Sequence, residues 1–365
     1  MKVQPVPRML TGDRPTGPLH LGHLVGSLNN RIALQKTHEA YFIIADLHML
    51  TTRNSPDDIA RSDRHAADLV LDALSAGIDP QRATFYLQSA VPQIHEVAGL
   101  LQSLVSVSRL ERLPALKDMA RAADVEMSLA LLQYPVLQAA DILAVRATAV
   151  PVGKDNYGFV EVTRELARRF NHTYSDVFPV PEIIAGETPT LVGTDGRAKM
   201  SKSLGNAIAL GDDAATVRKA VMRMYTDPAR TRADVPGTVE GNPVFAWLDA
   251  FATDRELVES FKERYRTGRT GDVEVKEYLA KVVNEVLEPM RERREHFSTP
   301  GYVESLIEEG TARVRLETQS TVLAMRKAMG FSGTWNRIRR RAERRATTVA
   351  GSGRSTAANA ASPTG

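Results

Sequence analysis

Two short clusters of His, Gly and Lys stand about 180 residues apart, and their residue types suit phosphate: Pro15-Thr-Gly-Pro-Leu-His-Leu-Gly-His23 near the N-terminus and Lys199-Met-Ser-Lys-Ser203 further on. In the first, a strand leading through a Gly/Pro turn into a helix makes an anion site. The first helical N–H groups lack partners, and the helix dipole favours negative charge there. Gly17 and Gly22 leave room for a nucleotide to approach the backbone. His20 and His23 are three apart, so on a helix they share a face. Two imidazoles beside a phosphate can donate to its oxygens as charge develops. The same spacing fits a helix start with two solvent-facing histidines, and a zinc pair lacks an evident third ligand. In the second cluster Lys199 and Lys202 flank Met200 and Ser201, in a loop opened by Gly193-Thr-Asp-Gly196. Two ammonium groups on a loop suit the β- and γ-phosphates and a departing pyrophosphate; taken alone, the segment is equally an exposed basic loop. Together the clusters describe a site that holds ATP from both sides and lets a weak nucleophile attack its α-phosphate. Neither is a Gly-x-x-x-x-Gly-Lys-Ser/Thr run, which argues against a P-loop nucleotide hydrolase.

Between them lies Tyr134-Pro-Val-Leu-Gln-Ala-Ala-Asp141-Ile-Leu. Asp141 stands in an otherwise apolar helical stretch, where a carboxylate is costly unless it is bonded. An ionised carboxylate only accepts, so it suits a ligand N–H; a neighbouring backbone group or Arg would satisfy it equally. Val150-Pro-Val-Gly153-Lys-Asp-Asn156 follows as strand, Gly turn and helix start, a second candidate nucleotide contact at a strand's C-terminal end.

These residues need a scaffold that brings strand ends together. Residues 7–12 read as a strand entering a turn, and 21–36 have helical apolar spacing. Residues 41–47 read as a buried strand. A helix opened by Pro56-Asp-Asp carries Ile59, Ala66, Leu69 and Leu74 and stops at Gly77. Strand 83–87, helix 94–107, strand 148–152 and helix 156–170 continue the alternation, which predicts an α/β fold with a Rossmann-type doubly wound parallel sheet. Helical periodicity dominates from 243 to 331. The predicted organisation is a catalytic domain over 1–210, an all-helical C-terminal domain over 211–336, and a basic tail over 337–365 without regular structure.

The bulk numbers fit two domains: 365 residues, 43% hydrophobic, 25% charged. The absence of cysteine removes disulfides, thiolate zinc sites, iron–sulfur clusters and Cys nucleophiles. No basic, apolar leader opens the chain and no apolar run is long enough to span a bilayer, so the expected location is cytoplasmic. The net charge of +3 hides an asymmetry. From residue 337 onward there are seven arginines against one glutamate, which leaves residues 1–336 at −3. Global charge therefore does not announce a nucleic-acid partner. The basic segment 337–345 reads as a solvated helix end leading into the tail, with weak tRNA attraction as the alternative.

Pro15–His23 resembles the HIGH motif of class I aminoacyl-tRNA synthetases, and Lys199–Ser203 matches the KMSKS motif letter for letter. With Gly12-Asp-Arg-Pro-Thr-Gly17, Tyr134–Asp141 and Val150–Gly153, the chain over about residues 8–331 resembles the tryptophanyl-tRNA synthetases. The resemblance implies Mg²⁺-ATP as substrate, L-tryptophan and tRNA(Trp) as partners, an anticodon-binding role for the helical domain, and a homodimer. It also implies that Asp141 accepts from the indole N–H and that Met9, Gly12, His48, Tyr134 and Gln138 line or close the tryptophan pocket. Arg14, Gly22, His23, Gly153, Lys154, Asp155 and Leu191 would contact ATP, as would Met200, Ser201 and Ser203. Lys199 and Lys202 would stabilise pyrophosphate, with His20 and His23 as their catalytic counterparts. Arg14 replaces a Gln found in many members, and Asn156-Tyr157 replaces a common Gln-Lys; the shorter amide is expected to loosen an ATP or tryptophan contact. A tyrosyl enzyme would want groups for a phenol hydroxyl. A degenerate binding module would not need both histidines and both lysines. An auxiliary enzyme tolerant of a tryptophan analogue is the remaining variant of the leading reading.

Overall fold

The computed structural model describes residues 6–186, 191–196, 199–201, 204–226, 230, 232 and 234–358, with side chains described through 347. Its five strands are β1 (Arg8–Asp13), β2 (Glu39–Ile44), β3 (Ala83–Leu87), β4 (Ala149–Val152) and β5 (Glu182–Ala185). They form one sheet in the order β3-β2-β1-β4-β5, and every pairing is parallel. The order reverses between β1 and β4, so the crevice outside their C-terminal ends is where a doubly wound sheet binds ligands.

Alternation along β1 and β2 divides the core. Met9, Phe42 and Ile44 join one apolar cluster with Leu21, Leu24 and Leu28. Leu10, Tyr41 and Ile43 join the other, with Val136, Ala139 and Ala140 of helix 129–144. Gly12 falls on the second face, where a Cβ would lie 2.0 Å from the Ile43 carbonyl oxygen. β1, β3 and β4 follow the sequence reading to within a residue, but β5 has no counterpart in it, the helix expected from Pro56 to Gly77 is interrupted at Arg61, and the one expected over 94–107 ends at Gln102. β2 stops at Ile44 and a short helix, Asp46–Met49, begins at once. The Asp46 carboxylate accepts from the backbone N–H groups of Leu47 (3.1 Å) and Ser89 (2.9 Å), which holds that turn against the end of β3. Helix α1 (Ser62–Ala76) does end at Gly77, whose φ is 119°.

The helices after residue 210 share a core with the sheet region. Trp247 of α2 (Pro243–Phe251) and Val283 and Leu287 of α3 (Asp272–Phe297) share the cluster that holds Leu19 and Leu21. Helix α4 (Tyr302–Ala328) presses on β3 through Gly310, where a Cβ would sit 1.9 Å from the Phe85 carbonyl oxygen. The helical region predicted for 211–336 therefore packs directly on the sheet edge. The tail also departs from expectation. Through Ala358 it is a helix, α5 (Phe331–Ala358), in keeping with the good helix propensity of its Arg and Ala content; residues 359–365 lie outside the described residues. No helix among the described residues is long and apolar enough to cross a membrane.

Candidate active site

The two phosphate-type clusters meet. After β1 the chain turns at Thr16, whose N–H donates to the Arg14 carbonyl at 2.8 Å, and Gly17 takes a φ of 120°. His20 then caps a helical run, 21–34, whose middle, Leu24–Leu28, is π-helical; such insertions often accompany functional sites. The His20 N–H donates to His23 Nδ1 at 3.1 Å, and the two rings lie 3.8 Å apart. With Nδ1 accepting, the proton of a neutral His23 sits on Nε2.

The second cluster comes from a hairpin. Val192 and Lys199 form an antiparallel bridge, and the Met200 N–H donates to the Leu191 carbonyl at 3.2 Å. Met200 is buried, and its sulfur accepts from the Gly22 N–H at 3.3 Å across 178 residues of sequence. Just past the hairpin, Leu21 N–H donates to Ile208 O at 3.0 Å and Leu210 N–H to Leu19 O at 2.9 Å. Asn206, also buried, organises the turn: its Oδ1 accepts from the Ser201 N–H at 2.8 Å and its Nδ2 donates to Asp195 at 3.1 Å. The helical region holds this hairpin from behind, since the Trp247 indole N–H donates to Val192 O at 2.9 Å. It holds the first cluster too. Arg294 of α3 pairs with the buried Asp72 of α1, whose other oxygen accepts from the Leu19 N–H at 2.6 Å, one residue before His20. Lys202 and Ser203 lie outside the described residues.

Asp141 sits deeper, on the helix Leu129–Ala144, which Ser128 caps by accepting from the Leu131 N–H at 3.2 Å. Tyr134, Gln138 and Asp141 are spaced four and three apart and so share a face. Asp141 is 2% exposed. Burial pushes its carboxyl pKa up, opposed by hydrogen bonds from His48 and Gln88. His48 Nε2 is 2.9 Å from one carboxylate oxygen, and the Gln88 amide is 2.9 Å from both. A carboxylate has about four lone-pair sites, so these two partners leave room for a further N–H donor. Three more buried polar atoms, His48 Nδ1, Tyr86 Oη and Gln138 Oε1, have no protein partner among the described residues; such atoms in a native core call for a ligand or water. The Tyr134 ring packs on His48 at 4.2 Å and on Phe159 at 5.3 Å.

Most of the residues expected at this site stand at the C-terminal strand ends. Arg14 follows β1 and donates to Thr52 at 3.0 Å. Gly153, Lys154 and Asp155 follow β4 and are exposed, while Leu191, in the first arm of the hairpin, is buried. Met9 is the exception. It points into the cluster of Leu21 and Leu24, away from Asp141, because adjacent strand residues face opposite sides; Leu10 is the β1 side chain on the Asp141 side. Sequence reasoning also passed over Gln88 and Asn206. Gln88 had a readable signal, a polar residue directly after a buried strand. Asn206 had none, since its partners come from a loop whose shape was not foreseeable.

The sequence profile described as "tRNA synthetases class I (W and Y)" matches residues 2–288. The tryptophan–tRNA ligase of Treponema pallidum is 58% identical over 327 residues, covering 89% of this chain and 97% of that protein. The chain belongs to the class I tryptophanyl-tRNA synthetases. The tryptophan–tRNA ligase of Borreliella burgdorferi is 47% identical over 341 residues, covering 92% of this synthetase and 97% of that one. Among solved structures, a tryptophanyl-tRNA synthetase from Campylobacter jejuni, complexed with ADP and tryptophan, superposes with a TM-score of 0.78 at 31% identity, covering 88% of this chain and 99% of that one. The family assignment agrees with the resemblance carried by the two motifs and with the observed sheet.

Proposed function

We propose that the contact between the two motifs, the Gly22 N–H on the Met200 sulfur, marks the place where ATP is held, and that Asp141 below it selects tryptophan. As a tryptophan–tRNA ligase, the protein activates L-tryptophan with ATP and charges tRNA(Trp). In the first step a tryptophan carboxylate oxygen attacks the α-phosphorus, the bond to the β-phosphate bridging oxygen breaks, and pyrophosphate leaves. In the second a hydroxyl of the tRNA terminal ribose attacks the activated carbonyl, and AMP leaves. Lys199 and Lys202 neutralise the departing pyrophosphate, and His23 donates from Nε2 to phosphate oxygen. The Gly153–Asp155 turn contacts the nucleotide from the β4 side of the switch point. Such a site works by positioning and charge stabilisation, with no covalent protein intermediate.

The indole N–H donates to Asp141, which Gln88 and His48 hold in place. Gln138 and Tyr134 close the pocket on the same helix face. Mg²⁺ would enter with ATP, held mainly by its phosphates, as is usual for Mg²⁺. The helices from 211 to 336 bind the anticodon end of tRNA. The protein works in the cytoplasm as a homodimer, as its resemblance to the family implies.

Exchange of labelled pyrophosphate into ATP tests this reading directly. Exchange should require tryptophan and Mg²⁺. Folded protein that gives no exchange would end the ligase assignment, and exchange with tyrosine in place of tryptophan would reassign Asp141.

A further inference from the structure

Helix α5 is not used by any step above. It follows Gly330, whose φ is 82°, and every side chain from Thr334 through Thr347 is exposed. At 100° per residue it has two faces. Phe331, Trp335 and Ile338, each more than half exposed, make a narrow apolar stripe. Arg337, Arg340, Arg341 and Arg344 recur at i, i+3, i+4 and i+7 on the opposite side. Six of the nine residues from Arg337 to Arg345 are arginine, and the single acid among them, Glu343, lies 3.6 Å from Arg339, outside that face. The 336 residues before this segment carry a net negative charge.

The place where α5 leaves the body limits what it can touch. The preceding helix, α4, is pinned to the N-terminal edge of the sheet: Thr321 donates to the Ala144 carbonyl at 2.8 Å, and Glu317 pairs with Arg8 at 3.0 Å. The nucleotide site lies at the opposite edge, where β1 and β4 end. The arginine face therefore meets neither ATP nor the reacting ribose. Four guanidinium groups along about 10 Å of helix suit the spaced phosphates of a polynucleotide, which they can grip in bidentate fashion. A helix lying on an anionic bilayer would turn its apolar stripe toward the lipid and point these four arginines away from it.

We infer that α5 is a sequence-independent grip on the phosphate backbone of tRNA, away from the acceptor end, that raises the local concentration of RNA on a body of like charge. The inference rests on the ligase reading, because the RNA it grips is the substrate of the transfer step. The test compares the full chain with its Arg337→Gln, Arg340→Gln, Arg341→Gln, Arg344→Gln variant; Gln preserves helix propensity. Pyrophosphate exchange should be unchanged, showing that the variant folds and testing the ligase reading separately. Binding of tRNA(Trp) and of a non-cognate tRNA should weaken together, by about tenfold near 0.1 M salt, and the slope of log affinity against log salt should fall by about 2–4. In aminoacylation the tRNA KM should rise with kcat preserved. Unchanged tRNA affinity and salt slope would overturn the proposal. So would loss of binding to phosphatidylserine vesicles with tRNA binding intact, since that outcome assigns the helix to membranes.

Discussion

Asp141→Ala should raise the tryptophan KM in pyrophosphate exchange by about 100-fold, the cost of burying an indole N–H with no acceptor, while the ATP KM stays within about twofold. Discrimination against phenylalanine should fall in parallel, because a buried acceptor rejects a ligand that cannot donate to it. An unchanged tryptophan KM and specificity would remove Asp141 from recognition. The isosteric change, Asp141→Asn, separates recognition from folding. Burial raises the Asp141 pKa in the native state. An acid whose native pKa lies above its unfolded value of about 3.9 binds its proton more tightly when folded, so its charge costs stability at every pH above that unfolded value. Removing the charge removes the cost. The Asn variant should therefore melt no lower than the parent at pH 7 although it binds tryptophan less well. A melting temperature several degrees lower would mean that the carboxylate is retained for folding instead.

Lys202→Ala should slow adenylate formation by about 10²–10³-fold, the range for losing one charge-stabilising donor aimed at a transition state. Tryptophan affinity should be nearly unaffected. Rapid-quench measurement of the first turnover, with equilibrium binding of tryptophan alongside, separates the two effects. Equal first-turnover rates would exclude the residue from the mechanism. The residues before it are held in the hairpin stem: Lys199 bridges Val192, the Met200 N–H donates to the Leu191 carbonyl, and the Ser201 N–H donates to the Asn206 side-chain oxygen.

Four of the five strands and the phosphate clusters are legible in the sequence because they are local; β5, short and only partly buried, is not. β3 was read to the residue, since a buried run of Thr, Phe and Tyr between a polar turn and Gln-Ser has one interpretation. β2 was read three residues too long. The apolar run continues through Ala45 and Leu47, and the turn that breaks it is imposed by Asp46 accepting from Ser89, a contact 43 residues away. That turn is also what drops His48 onto Asp141. The identity of the Asp141 partners was lost for the same reason: the expected partner was an Arg or a backbone group, and the actual ones are His48 and Gln88 from two other strand ends. Met9 and Leu10 show a different failure. The block containing them was correctly located, but which residue faces the pocket is a matter of strand phase, settled only when β1 is seen between β2 and β4. The boundary near 210 was drawn where periodicity changes, yet Trp247 and Arg294 reach back across it to Val192 and Asp72, and such long-range bonds leave no mark on local pattern.

The bond from Trp247 to Val192 has an optical consequence. The protein contains two tryptophans. Trp247 is fully buried, with its indole N–H bonded to the hairpin that carries the lysines, and Trp335 is 62% exposed on α5. The buried indole emits at shorter wavelength and is closed to iodide; the exposed one emits at longer wavelength and is quenched by it. A shift of the hairpin during an ATP titration should register in the blue component, and events on α5 during a tRNA titration in the red. One unlabelled sample thus carries separate spectroscopic reporters for the two ends of the molecule.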